Sequence, residues 1–170
     1  MELIMNTAQV SHILSISWPF YTLSDNERRQ LMAQSKMVEL PQGTLLYKQQ
    51  ERLEHCYFLL IGKVSSYKNT ESDLRYQESL NSGSFFGEHC LLLNVPTEEQ
   101  LSAENSCSVL QIKKASLKTL IRSNQRFGFA IARRIRHKRS LVEPLLQFST
   151  KLSQYANEGM IHFEKLLIEY

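Results

Sequence analysis

Two histidine–cysteine pairs, His55-Cys56 and His89-Cys90, are the residues of this 170-residue chain whose types first suggest chemistry. An imidazole beside a thiol can hold a metal ion or activate a nucleophile. Their spacing argues against both uses. Neighbours on a strand point to opposite faces, and neighbours on a helix leave it about 100° apart. The third cysteine, Cys107, forms no Cys-x-x-Cys with the others, and no second cluster supplies the remaining ligands of a tetrahedral site. Metal ligands are therefore expected to be none. The chain also lacks a phosphate loop, a His-Glu-x-x-His and a Gly-x-Ser-x-Gly, so catalytic residues are expected to be none and the reading is non-enzymatic.

Charge is the second signal. The net charge of +3 hides an uneven distribution: no acidic residue lies between Glu104 and Glu143, where ten of the twenty Lys and Arg fall. The rest of the chain holds ten basic against seventeen acidic residues, which gives an acidic body and a basic arm. The densest run is Arg133-Arg134-Ile135-Arg136-His137-Lys138-Arg139. Without interleaved aromatic residues it does not suit a single-strand reader, and the wheel places Ile131 and Ile135 inward with the charges on a solvated face. Nucleic acid is not an expected partner.

The elements that must position these residues follow from periodicity. Ser24-Asp25-Asn26-Glu27 fits a capping box and opens a helix from about Asp25 to Ser35, within a helical lead-in. Short apolar runs then predict strands over Leu45 to Tyr47, Cys56 to Ile61, Val64 to Lys68, Leu74 to Leu80 and Cys107 to Ile112, with turns at Gly62-Lys63 and Asn69 to Asp73. Close, regular spacing of short strands suggests a sandwich, jelly roll or barrel. After Lys114, Leu117, Leu120, Ile121, Phe127, Ile131 and Ile135 form a helical stripe. Pro144 interrupts it, and stripes over Leu145, Phe148, Leu152, Tyr155 and over Phe163, Leu166, Leu167, Tyr170 predict further helices. Trp18-Pro19-Phe20 is expected to anchor the lead-in.

Three cysteines in an odd number suit free thiols in a reducing compartment, and Met1 to Val10 carries no Lys or Arg of a secretory signal. No apolar run approaches the roughly 18 residues of a membrane span. A cytoplasmic location is the expectation.

Three segments, Leu40-Pro41-Gln42-Gly43-Thr44, Tyr57 to Val64 around Gly62, and Gly83-Ser84-Phe85-Phe86-Gly87-Glu88, resemble the cyclic-nucleotide-binding domain, over roughly Pro19 to Lys138. That family includes Crp/Fnr-type regulators and the regulatory subunits of protein kinase A. The resemblance implies a mainly β fold with flanking helices, a jelly-roll-like, double-stranded β-helix called a β-roll, with eight strands and C-terminal helices. It divides the chain into a lead-in over 1–36, a β-roll over 37–114 with a phosphate-binding cassette around 83–100, and C-terminal helices over 115–170, within one structural domain overall. The cassette helix would open at Phe86-Gly87-Glu88 and continue through His89, its free N–H groups favouring a phosphate. Glu88 would accept from a ribose hydroxyl, or simply favour the helix start by its charge.

The sequence departs from the family pattern at Val95-Pro96-Thr97-Glu98-Glu99-Gln100. Thr97 takes the position of the arginine that pairs with the cyclic phosphate, and two carboxylates follow it. Loss of that charge-assisted contact costs about 1.5–3 kcal/mol. A carboxylate about 6 Å from the phosphate adds roughly 3 kcal/mol at an effective dielectric near 20. Together these cost on the order of 10³ in affinity. A second departure is Gln50, where the family often has glycine before Glu51.

The resemblance thus implies a regulatory or sensory module in which Phe86, Gly87, Glu88, His89, Thr97 and Glu98 line a ligand site, with cyclic nucleotide disfavoured and no cofactor expected. A cation, a neutral metabolite or a different nucleotide would suit the carboxylates. Two alternatives stay open. One is a dimerisation or protein-docking module with a vestigial pocket, its homodimer or protein partner held by the C-terminal helices. The other is a Crp/Fnr-type transcription regulator lacking its DNA-binding domain, since too few residues remain for a helix-turn-helix reader.

Overall fold

The capping box at Ser24 forms as its residues dictate. Ser24 N–H donates to the Glu27 carboxylate at 2.7 Å and Glu27 N–H donates back to Ser24 Oγ at 3.3 Å, opening the helix Asp25–Gln34. The computed structural model describes residues 5–70 and 73–140, with side chains through Arg136. The expectations for Pro144 and for the stripes from Leu145 and Phe163 onward lie outside the described residues.

In chain order the lead-in holds α1 (Thr7–Ile16), a 3₁₀ turn (Phe20–Thr22) and α2 (Asp25–Gln34). Eight strands follow: β1 (Lys36–Leu40), β2 (Leu45–Tyr47), β3 (His55–Ile61), β4 (Lys63–Asn69), β5 (Leu74–Asn81), β6 (Phe85–Phe86), β7 (Gln100–Ala103) and β8 (Cys107–Lys113). The short helix α3 (Glu88–Leu93) separates β6 from β7. The strands form two antiparallel four-stranded sheets, ordered β1-β8-β3-β6 and β2-β7-β4-β5. This is the expected β-roll with flanking helices. β1, β6 and β7 were not expected from local pattern.

The strand β3 is buried on both faces, which explains its continuous apolar run Cys56 to Ile61. Tyr57 and Leu59 join Tyr47, Val64, Phe86, Leu101, Ala103, Cys107 and Val109 in a core fed by both sheets. On the other face, Phe58 and Phe85 take Phe20 edge-on, at ring-centroid distances of 5.2 and 4.9 Å. Trp18 meets Phe85 at 6.4 Å, so Trp18-Pro19-Phe20 anchors the lead-in as expected. Full burial of Phe20 contributes about 1.5–3 kcal/mol. Arg28, itself buried, donates to the carbonyl of Leu23 and pairs with Asp25, tying α2 to the turn before it.

The chain packs as two compact units, Met1–Lys114 and one that starts at Ala115. Within the second, α4 (Lys114–Ser123) buries Leu117, Leu120 and Ile121, and α5 (Gln125–Ser140) runs on after Asn124. The helical stripe is therefore broken where Asn124 Oδ1 accepts from Phe127 N–H at 3.0 Å, an N-cap that starts a new helix. Phe127, Ile131 and Ile135 are fully buried, whereas Arg133 and Arg136 are exposed, as the wheel required.

Candidate functional site

The site is built where β6 passes into α3. Phe86 lies in the core and stacks on Tyr57 with centroids 5.8 Å apart and an interplanar angle of 19°, and Tyr57 meets Tyr47 at 6.1 Å. Tyr47, Tyr57 and Phe86 thus make a row of aromatic rings through the interior of the roll, all of them buried.

Gly87 caps α3 with φ +80°, a left-handed backbone that side chains rarely adopt. A Cβ there would stand 3.0 Å from Leu53 Cδ1, so the chain passes close against the β2–β3 connection. Glu88, on the first turn of α3, is fully buried, and its charge lies where the helix macrodipole favours it. Burial, and then the Glu88 charge, push the Cys56 thiol well above its ordinary pKa. Burial raises the Tyr47 phenol well above its usual value, with the charges of Glu99, Cys90 and Glu88 acting in the same direction. Glu99 and Glu88 therefore both bear on Tyr47.

His89 is half-buried, and its Nε2 lies 3.2 Å from the Sγ of Cys90. This corrects the expectation that adjacent side chains on a helix diverge: their Cβ directions differ, yet the imidazole reaches the thiol. Cys90 is itself buried at 3% exposure, so only the imidazole side of the pair reaches solvent. Among the described residues, no group of three His, Cys, Asp or Glu could hold a metal ion.

Thr97 is buried and sits between α3 and the loop that joins β2 to β3. Its hydroxyl donates to Lys48 O at 2.5 Å and accepts from Glu51 N–H at 3.1 Å. Its own N–H donates to Glu51 O at 2.9 Å, and its carbonyl accepts from Gln50 N–H at 2.8 Å. Arg52 Nη1 adds a bond to Asn94 O at 2.7 Å. Gln50, exposed at the tip of this clamp, has φ +65°, the left-handed conformation that glycine adopts without strain.

The two carboxylates after Thr97 diverge. Glu98 is exposed and pairs with Lys68 Nζ at 3.9 Å. Glu99 accepts a hydrogen bond from Ser66 Oγ, a buried hydroxyl on β4. Thus Phe86, Gly87, Glu88 and His89 come together at the start of α3, Thr97, in the α3–β7 connection, is bonded against the β2–β3 loop, and Glu98 turns to β4. Tyr47 and Ser66, which bear on Glu99 by charge and by hydrogen bond, were not among the expected residues. Nothing in their local pattern marks them, because β2 and β4, which carry them, are brought beside the segment after Thr97 only through the β2–β7 and β4–β7 pairings.

Comparison with known families places this geometry. The family model described as the cyclic nucleotide-binding domain matches residues 37–124, more than half of the chain. The chain belongs to the cyclic nucleotide-binding domain family. Such domains are of the regulatory or sensory kind and generally non-catalytic. Solved structures with the same fold include the regulatory domain of Toxoplasma gondii PKA co-crystallised with cAMP, with TM-score 0.62 and 20% identity, covering 66% of this chain and 43% of that one. The sensor domain of the transcriptional regulator DNR from Pseudomonas aeruginosa matches with TM-score 0.66 and 20% identity, over 79% of this chain and 94% of that one. A cyclic nucleotide binding protein of Ruegeria pomeroyi matches at TM-score 0.66 and 23% identity, over 81% of this chain and 62% of that one. The chain thus spans less than two thirds of the Toxoplasma and Ruegeria proteins. No curated protein matches it. Among the described residues, no helix is long and apolar enough to cross a membrane.

Proposed function

We propose that this member of the family is a regulatory module that does not hold a cyclic nucleotide in the arginine-dependent manner. The observation that carries the reading is the clamp at Thr97. By resemblance Thr97 stands at the phosphate-arginine position, and its hydroxyl, N–H and carbonyl all bond to residues 48–51. A cassette closed by its own chain has no need of a phosphate to close it. The carboxylate of Glu99, which follows Thr97 and accepts from Ser66, works in the same direction, because it would repel an anionic ligand. Phe86, Gly87, Glu88 and His89 then form the wall on which a cationic or neutral small molecule would act, with Glu98 at the rim.

Titration calorimetry of the full chain with cyclic AMP, cyclic GMP and cyclic di-GMP tests this. The expected outcome is no saturable heat in the micromolar range; saturable micromolar binding of cyclic AMP overturns it.

A second reading, a docking or dimerisation module with a vestigial pocket, is favoured by the row of Tyr47, Tyr57 and Phe86, which occupies the interior with side chains. Light scattering across a concentration series separates the two: a dimer indifferent to every small molecule favours docking. The likeness to the DNR sensor domain supports placing either module within a longer regulator. A reducing, cytoplasmic setting suits its three buried thiols.

A further inference from the structure

We propose that the exposed face of α5 docks an acidic helix of a protein partner through Arg126, Arg133 and Arg136. All three are exposed, while Phe127, Ile131 and Ile135 are fully buried. At 100° per residue the three arginines fall within about 80° of arc and span about 15 Å along the axis. Their steps of seven and three residues are the spacing of a heptad seam, so a helix lying along α5 at a shallow angle meets all of them.

The stripe is not neutralised by its own helix. No aspartate or glutamate occurs between Glu104 and Glu143, and Arg133 faces Arg136 at i,i+3, where like charges repel. Carboxylates from outside relieve that repulsion, and the planar guanidinium fork takes a carboxylate through two parallel bonds. Other polyanions fit less well. A membrane-bound helix needs an apolar face to insert, and the apolar face of α5 is already buried. A single-stranded nucleic acid needs exposed aromatic rings between its cations, whereas Phe127 is buried and Phe129 half-buried. A duplex would engage the arginines as charges without regard to their spacing.

The test uses the full chain and a synthetic peptide of about three heptads with glutamate at the seam positions and alanine or glutamine elsewhere. Its control is a peptide of the same composition with the glutamates moved off that spacing. Fluorescence anisotropy is expected to give affinity about tenfold tighter for the seam peptide. That preference should vanish in Arg126→Glu/Arg133→Glu/Arg136→Glu at unchanged thermal midpoint. Should the triple variant fail to fold, Arg126→Gln and Arg136→Gln singly are each expected to weaken binding severalfold. Equal affinity for both peptides, tighter binding to a DNA duplex or to phosphatidylserine vesicles, or no binding at all would overturn the proposal.

Discussion

Thr97 and Glu51 hold each other through a reciprocal pair of hydrogen bonds: Thr97 N–H donates to Glu51 O at 2.9 Å, and Glu51 N–H donates to Thr97 Oγ1 at 3.1 Å. Only the second of these, with the bond from Thr97 Oγ1 to Lys48 O, depends on the side chain. Thr97→Val keeps the β-branched shape and removes the hydroxyl, stranding the Glu51 N–H and the Lys48 carbonyl. The expected loss is about 1–3 kcal/mol in urea unfolding. A change within a few tenths of a kcal/mol would mean that the clamp does not rest on the hydroxyl.

Gln50 carries the strain of that clamp in its left-handed backbone, at φ +65°. The conformation costs an ordinary residue about 1–2 kcal/mol, of which glycine gives back roughly 0.5–1 through its freer unfolded chain. Gln50→Gly is therefore expected to stabilise by up to about 1 kcal/mol, and Gln50→Val, β-branched, to destabilise. Thermal midpoints of the two variants check the sign. Their moving in the same direction would contradict it.

Two glycines differ in what surrounds them. A Cβ on Gly62, at φ +99°, would fall 2.6 Å from Cys107 Sγ and 2.7 Å from Ser106 O. At Gly87 the nearest atom is the end of a leucine side chain at 3.0 Å, which can rotate away. Both alanine variants carry backbone strain of about 1–3 kcal/mol, and Gly62→Ala adds about 1–3 kcal/mol of overpacking. Gly62→Ala should be the less stable of the two by denaturant midpoint; the reverse order would show that the turn relaxes.

Glu104 offers a titration test. Hydrogen bonds from Ser65, then Ser79, hold its carboxyl below the ordinary value of 4.5, and Lys63 Nζ at 3.3 Å adds to this. Because the folded value is depressed, the stabilisation is complete above the unfolded pKa and is lost as pH falls through the folded one. Carboxyl chemical shifts should follow Glu104 titrating below a free glutamate, and Ser65→Ala should move its midpoint upward. An unmoved midpoint would exclude the Ser65 bond as the main cause.

Much of this architecture is legible in short windows of sequence. The Ser24 box predicts α2 to within a residue of its end, and the apolar runs around Gly62 predict β3, β4 and β5 within a residue at each terminus. β6 is not legible, since two residues become a strand only because Tyr57 and Phe58 pair with Phe86 and Phe85. β7 is likewise held by β2 on one side and β4 on the other, which no local periodicity encodes. The neighbourhood of His89 and Cys90 was misread for a related reason: an angle between Cβ vectors does not fix where flexible side chains end.

The order of residues alone determined which segments could be helix or strand, where Gly87 and Glu88 stand relative to each other, and that threonine rather than arginine stands directly after Pro96. Those are properties of neighbours, set by backbone sterics and the spacing of apolar side chains. What replaces the arginine was decided by tertiary structure, because the hydroxyl of Thr97 finds Lys48 and Glu51 more than forty residues away. Partners so distant in the chain meet only after both sheets have closed, when a buried hydroxyl must find its hydrogen bonds on whatever backbone is nearest.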